Sequence, residues 1–180
     1  ECANKYGVTF VQDCMHSDNA REAYRQLAEE GRLTLRMRAV YHLKPDKYEE
    51  QLPEYIARKG RDNVDEDFRI DTIKMFAEGM FSMIDGYLPE FCDAIGQPHD
   101  FNAPLYWPDD VFVNCAEKAM EAGFNVHVHA MGDKSVKQSA ECLAKAQQIA
   151  GRKPRNVIAH VMITPDETAE LMGREQIIAN

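Results

Sequence analysis

At 180 residues, 44% apolar and 28% charged, the chain has the size and balance of one globular domain with a sizeable core. Its net charge of −9 excludes the basic face that nucleic acid or an anionic membrane requires, so neither is expected as a partner. No apolar run approaches the ~20 residues of a membrane span, and Glu1-Cys2-Ala3-Asn4-Lys5 carries neither an initiator Met nor a signal pattern, so a chain cut from a longer one is expected.

In chain order, residues 7–13 form the first expected strand, Gly-Val-Thr-Phe-Val-Gln-Asp. A helix over 19–30 follows, opened by the Asn19/Glu22 capping spacing and closed by Gly31. Residues 34–42 are a second strand, a polar helix runs to Arg58 before Gly60, and 69–76 are a third strand. The stretch 79–107, with Gly86, Pro89, Gly96, Pro98 and Pro104, has neither period and reads as a long irregular loop covering a site. Pro108 opens a helix that places Phe112, Cys115, Ala116 and Ala119 on one face and stops at Gly123.

Residues 125–130 are the fourth strand, and the next helix aligns Val136, Ala140 and Leu143 before Gly151. Residues 156–163 are the fifth strand. Thr164-Pro165-Asp166-Glu167 then reads as a capping box for a helix ending at Gly173, and 176–180 begin a sixth strand. Alternating strands and helices imply a parallel sheet with right-handed crossovers, and near-continuous apolar strands imply helices covering it. No GxGxxG or GxxxxGK[ST] follows a strand, so the usual nucleotide sites are excluded. Period alone leaves an open sheet and a closed barrel both standing.

Chemistry is concentrated in polar residues placed inside strands. His127 and His129 are two apart and share a strand face, His160 lies in Ile158-Ala159-His160-Val161-Met162, and Lys74 lies in Ile73-Lys74-Met75-Phe76. Burying such groups costs several kcal/mol unless something compensates. A metal ion does so economically, because neutral imidazole is a good zinc ligand and strand ends converge on one rim of a barrel. A buried lysine has a depressed pKa, and its amine can take up carbon dioxide to become an anionic carbamate ligand. The structural alternatives are a hydrogen-bonded core histidine and a snorkelling or ion-paired lysine. Asp13, Cys14 and His16 after the first strand, and His42 after the second, share the same rim and are minor candidates for substrate contact. Asp133 is either a further ligand or, more ordinarily, a helix cap.

Lys, then His, then His on three consecutive strands carries a resemblance. The stretches Ile73-Lys74-Met75-Phe76-Ala77-Glu78-Gly79, His127-Val128-His129-Ala130-Met131-Gly132-Asp133 and Ile158-Ala159-His160 resemble the amidohydrolase superfamily, especially its branch containing N-substituted formamide deformylase. Gly7-Val8-Thr9 is similar to a strand that precedes them in that family. The resemblance implies a distorted (β/α)₈ TIM barrel with one or two divalent ions, usually zinc. It implies Lys74, carboxylated, with His129 and His160 as metal ligands, the two histidines also serving catalysis, and His127 as a second-layer residue facing into the barrel. It further implies hydrolysis of an amide or formamide-like, non-peptide C–N bond in a small molecule by metal-activated water.

Residues 1–180 then form one incomplete barrel domain of six β/α units, without the first-strand HxH and the eighth-strand Asp of the family. Glu78 stands where the branch has Asp. Six strands leave two sheet edges, so a homo-oligomer or pairing with the missing barrel segments is expected. The other reading is a non-catalytic, self-associating α/β domain with structural histidines. Five cysteines without a CxxC pair point to a reducing compartment, the cytoplasm.

Overall fold

The computed structural model describes residues 2–84 and 89–180; Gly86 of the irregular stretch lies outside them. Six strands pair in sequence order, every neighbour parallel. They are β1 (Phe10–Asp13), β2 (Arg36–His42), β3 (Phe68–Phe76), β4 (Asn125–Ala130), β5 (Val157–His160) and β6 (Ile178–Ala179). The helices are α1 (Asp18–Glu29), α2 (Tyr48–Arg58), α3 (Pro89–Ile95), α4 (Asp109–Glu121), α5 (Asp133–Ala150) and α6 (Asp166–Glu175).

Alternation along the strands separates two faces. Ile73, Met75, Val126, Val128 and Ile158 are fully buried on the outer face, in one apolar cluster with Phe112, Cys115 and Ala119 of α4 and Val136, Ala140 and Leu143 of α5. Both helical faces expected from the sequence therefore pack on the sheet. The inner face carries Gln12, Thr72, Lys74, His127 and His129, and it is concave. Gln12 Nε2 of β1 donates to Thr72 Oγ1 of β3 at 3.3 Å, across β2. Gln12 and Ala159 line one cavity although three strands lie between theirs. A flat sheet would hold β1 and β5 ~19 Å apart at ~4.8 Å per strand. The sheet is therefore curled into an open part of a (β/α)₈ barrel, as expected.

Several element ends differ from the sequence reading. α1 is capped by Ser17, whose extended backbone lets its side chain accept from Ala20 N at 3.2 Å, while Glu22 bonds Arg25 instead of closing a box with Asn19. At α6 the N-cap is Pro165, so Thr164 sits one residue too early to cap and its Oγ1 has no hydrogen-bond partner among the described residues. That helix also runs past Gly173 to Glu175, and Gln176 takes the left-handed turn with φ 58°. The extra residues deliver Ile177, 5% exposed, to the core. The stretch 79–107 is not wholly irregular, since it holds α3, whose seven residues are too few to show a period. It is also pinned: Glu78 bridges Leu105, Asn102 exchanges two hydrogen bonds with Met83, and Trp107 Nε1 donates to Phe76 O at 2.7 Å.

One buried polar chain ties the C-terminal units together. Asn156, fully buried, accepts from Val126 N at 2.8 Å and donates to Gln147 Oε1 at 2.9 Å, and Gln147 donates to Glu175 O at 3.0 Å. Truncating Asn156 would leave Val126 N and Gln147 Oε1 unsatisfied in the core, each costing on the order of 1–3 kcal/mol. Asn156→Ala is expected to lose about 2 kcal/mol and lower Tm by roughly 4–8 °C. Thermal and urea denaturation measure it, and an unchanged midpoint would remove this network from the account.

Candidate functional site

Lys74 of β3, His127 and His129 of β4 and His160 at the end of β5 line one cleft of about 500 Å³, with Gln12, Cys14, Phe76 and Asn180 also on its walls. The parallel register is what brings them together, since Lys74 lies opposite His127 and Phe76 opposite His129.

Lys74 is 3% exposed, and among the described residues no carboxylate forms an ion pair with it. Its Nζ donates to His127 Nδ1 at 3.0 Å and lies 4.9 Å from the centre of the Phe76 ring. Burial pushes the amine down to about 8, with Cys14 opposing the shift. Burial, then the charge of Lys74, pushes His127 down to about 4. His127 is therefore a neutral imidazole at pH 7, its Nδ1 lone pair turned to the lysine and its proton on Nε2.

His129 is held below the usual histidine range by burial, followed by His160 and Lys74. Its Nε2 lies 3.2 Å from Gly79 O. A carbonyl only accepts, so Nε2 carries the proton and Nδ1 keeps the lone pair. The ring stacks on Phe76 with centroids 4.8 Å apart and meets His160 edge-on at 4.7 Å.

His160 reaches the cleft through a break in strand alternation. Ala159 already faces inward, so a regular strand would turn His160 outward. Instead His160 has φ 80° and Val161 has φ 41°, two successive non-glycine residues in the left-handed region. Each costs about 1–3 kcal/mol and persists only where its surroundings fix it. Here His160 N donates to Asn180 O at 2.6 Å, Val161 N to Ala130 O at 3.1 Å and Ile163 N to Met131 O at 3.1 Å.

The other named polar residues build the rim. Glu78 is fully buried and its carboxylate accepts from the backbone N–H groups of Ser82, Met131 and Gly132. Asp133 is the first residue of α5, and its Oδ1 accepts from Ile84 N at 2.8 Å instead of capping the helix. Asp13 accepts from Met15 N and from the Tyr24 hydroxyl, which fixes the turn after β1. His16 and His42 line a separate rim pocket, and Cys14 lines both cavities.

Two contributors escape the sequence reading. Phe76, two residues beyond Lys74, is discoverable by alternation and is flanked by His42 and His129. The Gly79 carbonyl has no sequence signal, because any residue supplies one.

Among the described residues no three His, Cys, Asp or Glu side chains gather as a ligand set. Lys74 is thus the third donor that a site on His129 and His160 would need. The donors fit a borderline ion such as zinc better than an oxygen-seeking one: two imidazoles and a buried amine without a carboxylate partner among the described residues.

A sequence profile of the amidohydrolase family matches residues 2–180. No curated protein matches the chain. An uncharacterized metal-dependent hydrolase from Pyrococcus furiosus superposes with TM-score 0.73 at 22% identity, over 99% of this chain and 35% of that one. Its counterpart from Pyrococcus horikoshii OT3 gives 0.74 at 18% identity, over 99% and 34%. Molinate hydrolase gives 0.65 at 12% identity, over 98% and 42%. These likenesses concern the fold, and the chain spans about a third of the length of the two Pyrococcus structures.

The Glu78 staple yields a direct expectation. A glutamine at this position would offer one acceptor and an NH₂ group to three N–H donors, so Glu78→Gln is expected to destabilise by about 2–3 kcal/mol. Hydrogen exchange at Met131 and Gly132 amides should accelerate with it, and unchanged protection there would show that the carboxylate does not hold the loop.

Proposed function

We propose that this chain, which belongs to the amidohydrolase family, forms the ligand-bearing part of a metal-dependent hydrolase that cleaves an amide or formamide-like, non-peptide C–N bond. The observation that carries the reading is one cleft lined by Lys74, His129 and His160 from three successive strands. Lys74, His129 and His160 would hold one or two divalent ions, zinc foremost. Such an ion, when bound, supplies Lewis acidity and an acidified water.

The chain's own groups prepare that cleft. With a pKa of about 8, roughly a tenth of Lys74 is the free amine at pH 7. The amine nitrogen can add to carbon dioxide, losing one proton and leaving a carbamate in place of a buried cation. His127 Nδ1 is the acceptor that holds the lysine in line while it is charged. Gly79 O fixes the tautomer of His129, leaving Nδ1 as its donor nitrogen. The bend at 160–161 sets the His160 ring beside it.

The formamide-cleaving branch is the reading favoured by the sequence blocks around Lys74 and His129. A small amide-like molecule is the proposed substrate. β1 and β6 each have one neighbour among the described strands, which supports pairing with further barrel strands or a second copy. All five cysteines are free, which supports a reducing, cytoplasmic location. Among the described residues no helix is long and apolar enough to cross a membrane.

A second reading, a non-catalytic domain, draws on the Lys74–His127 bond, which satisfies two buried groups without an ion. Metal content separates the two. Chain purified without chelator is expected to hold a divalent ion near one per chain by plasma mass spectrometry, and His160→Ala to lose most of it. Absence of metal from both proteins would favour the non-catalytic reading.

A further inference from the structure

A second cavity of about 260 Å³ lies on the same rim, walled by residues of the turn after β1, the start of α1 and the end of β2. It shares Cys14 and Met15 with the cleft, and His42 on its wall stands in register beside Lys74. The two spaces are therefore about one strand spacing apart, ~4.8 Å.

Charge in this pocket is arranged by depth. Arg21 and Asp18 pair at 2.9 Å, but the Arg21 side chain is 18% exposed and that of Asp18 is 88% exposed. The guanidinium forms wall, lying over the Tyr41 ring at 5.5 Å, while its acid stands in water. Lys44 adds a second cation, so the formal charges of Arg21, Lys44 and Asp18 sum to one positive. The His16 side chain is 3% exposed, and its Nδ1 faces Asp13 O at 3.3 Å and the Asp13 carboxylate at 4.0 Å, Asp13 lying outside the residues that line the pocket. A half-sheltered guanidinium is left better satisfied by a ligand that brings oxygens.

We propose that this pocket is a substrate subsite for a carboxylate, so that the molecule cleaved is an amide carrying an anionic group a few bonds from the scissile C–N bond. The inference rests on the hydrolase reading above for the word substrate, and on the pocket alone for the anion. One net positive charge and one guanidinium fork suit a monoanion that can be held by two parallel hydrogen bonds. At about 260 Å³ the pocket has room for the anionic end of such a molecule.

The test titrates the chain as purified with N-formylglycine, its neutral amide N-formylglycinamide and inorganic phosphate, following the imidazole ¹H–¹⁵N correlations of His16 and His42. N-formylglycine is expected to shift both saturably and the neutral amide neither. Arg21→Met is expected to weaken N-formylglycine roughly tenfold and Lys44→Met to weaken it less. Lys145→Met on α5, outside this pocket, should leave it unchanged. Equal binding of the neutral amide, tighter binding of phosphate, or unchanged affinity in both Arg21→Met and Lys44→Met would overturn the carboxylate subsite. Anion binding at His16 and His42 in a chain that holds no metal would sink the hydrolase reading alone.

Discussion

A charged amine buried between two strands has to be answered by something, and the way Lys74 is answered organises the rest of the inner face. Its neighbour across the β3–β4 ladder is an imidazole, so the positive charge meets a lone pair and not a carboxylate. Burial, and then the lysine's charge, keeps His127 neutral, and burial lowers the lysine toward the neutral range. A carboxylate at the same place would have fixed the ammonium form and raised its pKa. The cleft is left instead with an amine held near the neutral range beside an imidazole lone pair, and with no permanent ion pair at Lys74 among the described residues.

Precision at that cleft comes from backbone clamps placed around it. Glu78 gathers three amides from two loops, Asp133 takes a fourth, and Lys134 N donates to Ser82 O at 3.0 Å. The approach is close enough that a Cβ on Gly132 would meet Ser82 O at 2.3 Å, so only glycine fits there. The loop after β3 is thereby seated on the β4–α5 turn, and its Gly79 carbonyl is delivered to His129. On the other side, hydrogen bonds from His160, Val161 and Ile163 to β4, β6 and the adjoining turn hold a backbone bend that neither residue would adopt freely. Strain of a few kcal/mol sits where a side chain must be turned into the cleft.

Much of the architecture is legible in sequence because its causes are local. Apolar β-branched runs separated by amphipathic stretches announce parallel β/α units, and Phe112–Ala119 and Val136–Leu143 mark the packing faces by spacing alone. The differences fall at ends, where one residue decides. Thr164 has the spacing of a cap, yet the proline after it occupies that position, and Gly173 reads as a stop although Ile177 gains burial if the helix continues. The short α3 gives no period to find.

For the site, the sequence by itself determined which residues are chemically expensive to bury: Lys74, His127, His129 and His160 stand in apolar strands, and residue type and alternation suffice to say so. Alternation even decided that the two β4 histidines face the same side. Only the tertiary structure decided who answers whom. Register paired Lys74 with His127 and not with His129, a backbone bend put His160 on the inner face against its alternation, and curling of the sheet carried Cys14 of the β1 rim into the same cleft. Those outcomes depend on distances between residues tens of positions apart, which no local spacing encodes, because they are set by how the strands stagger and coil against one another.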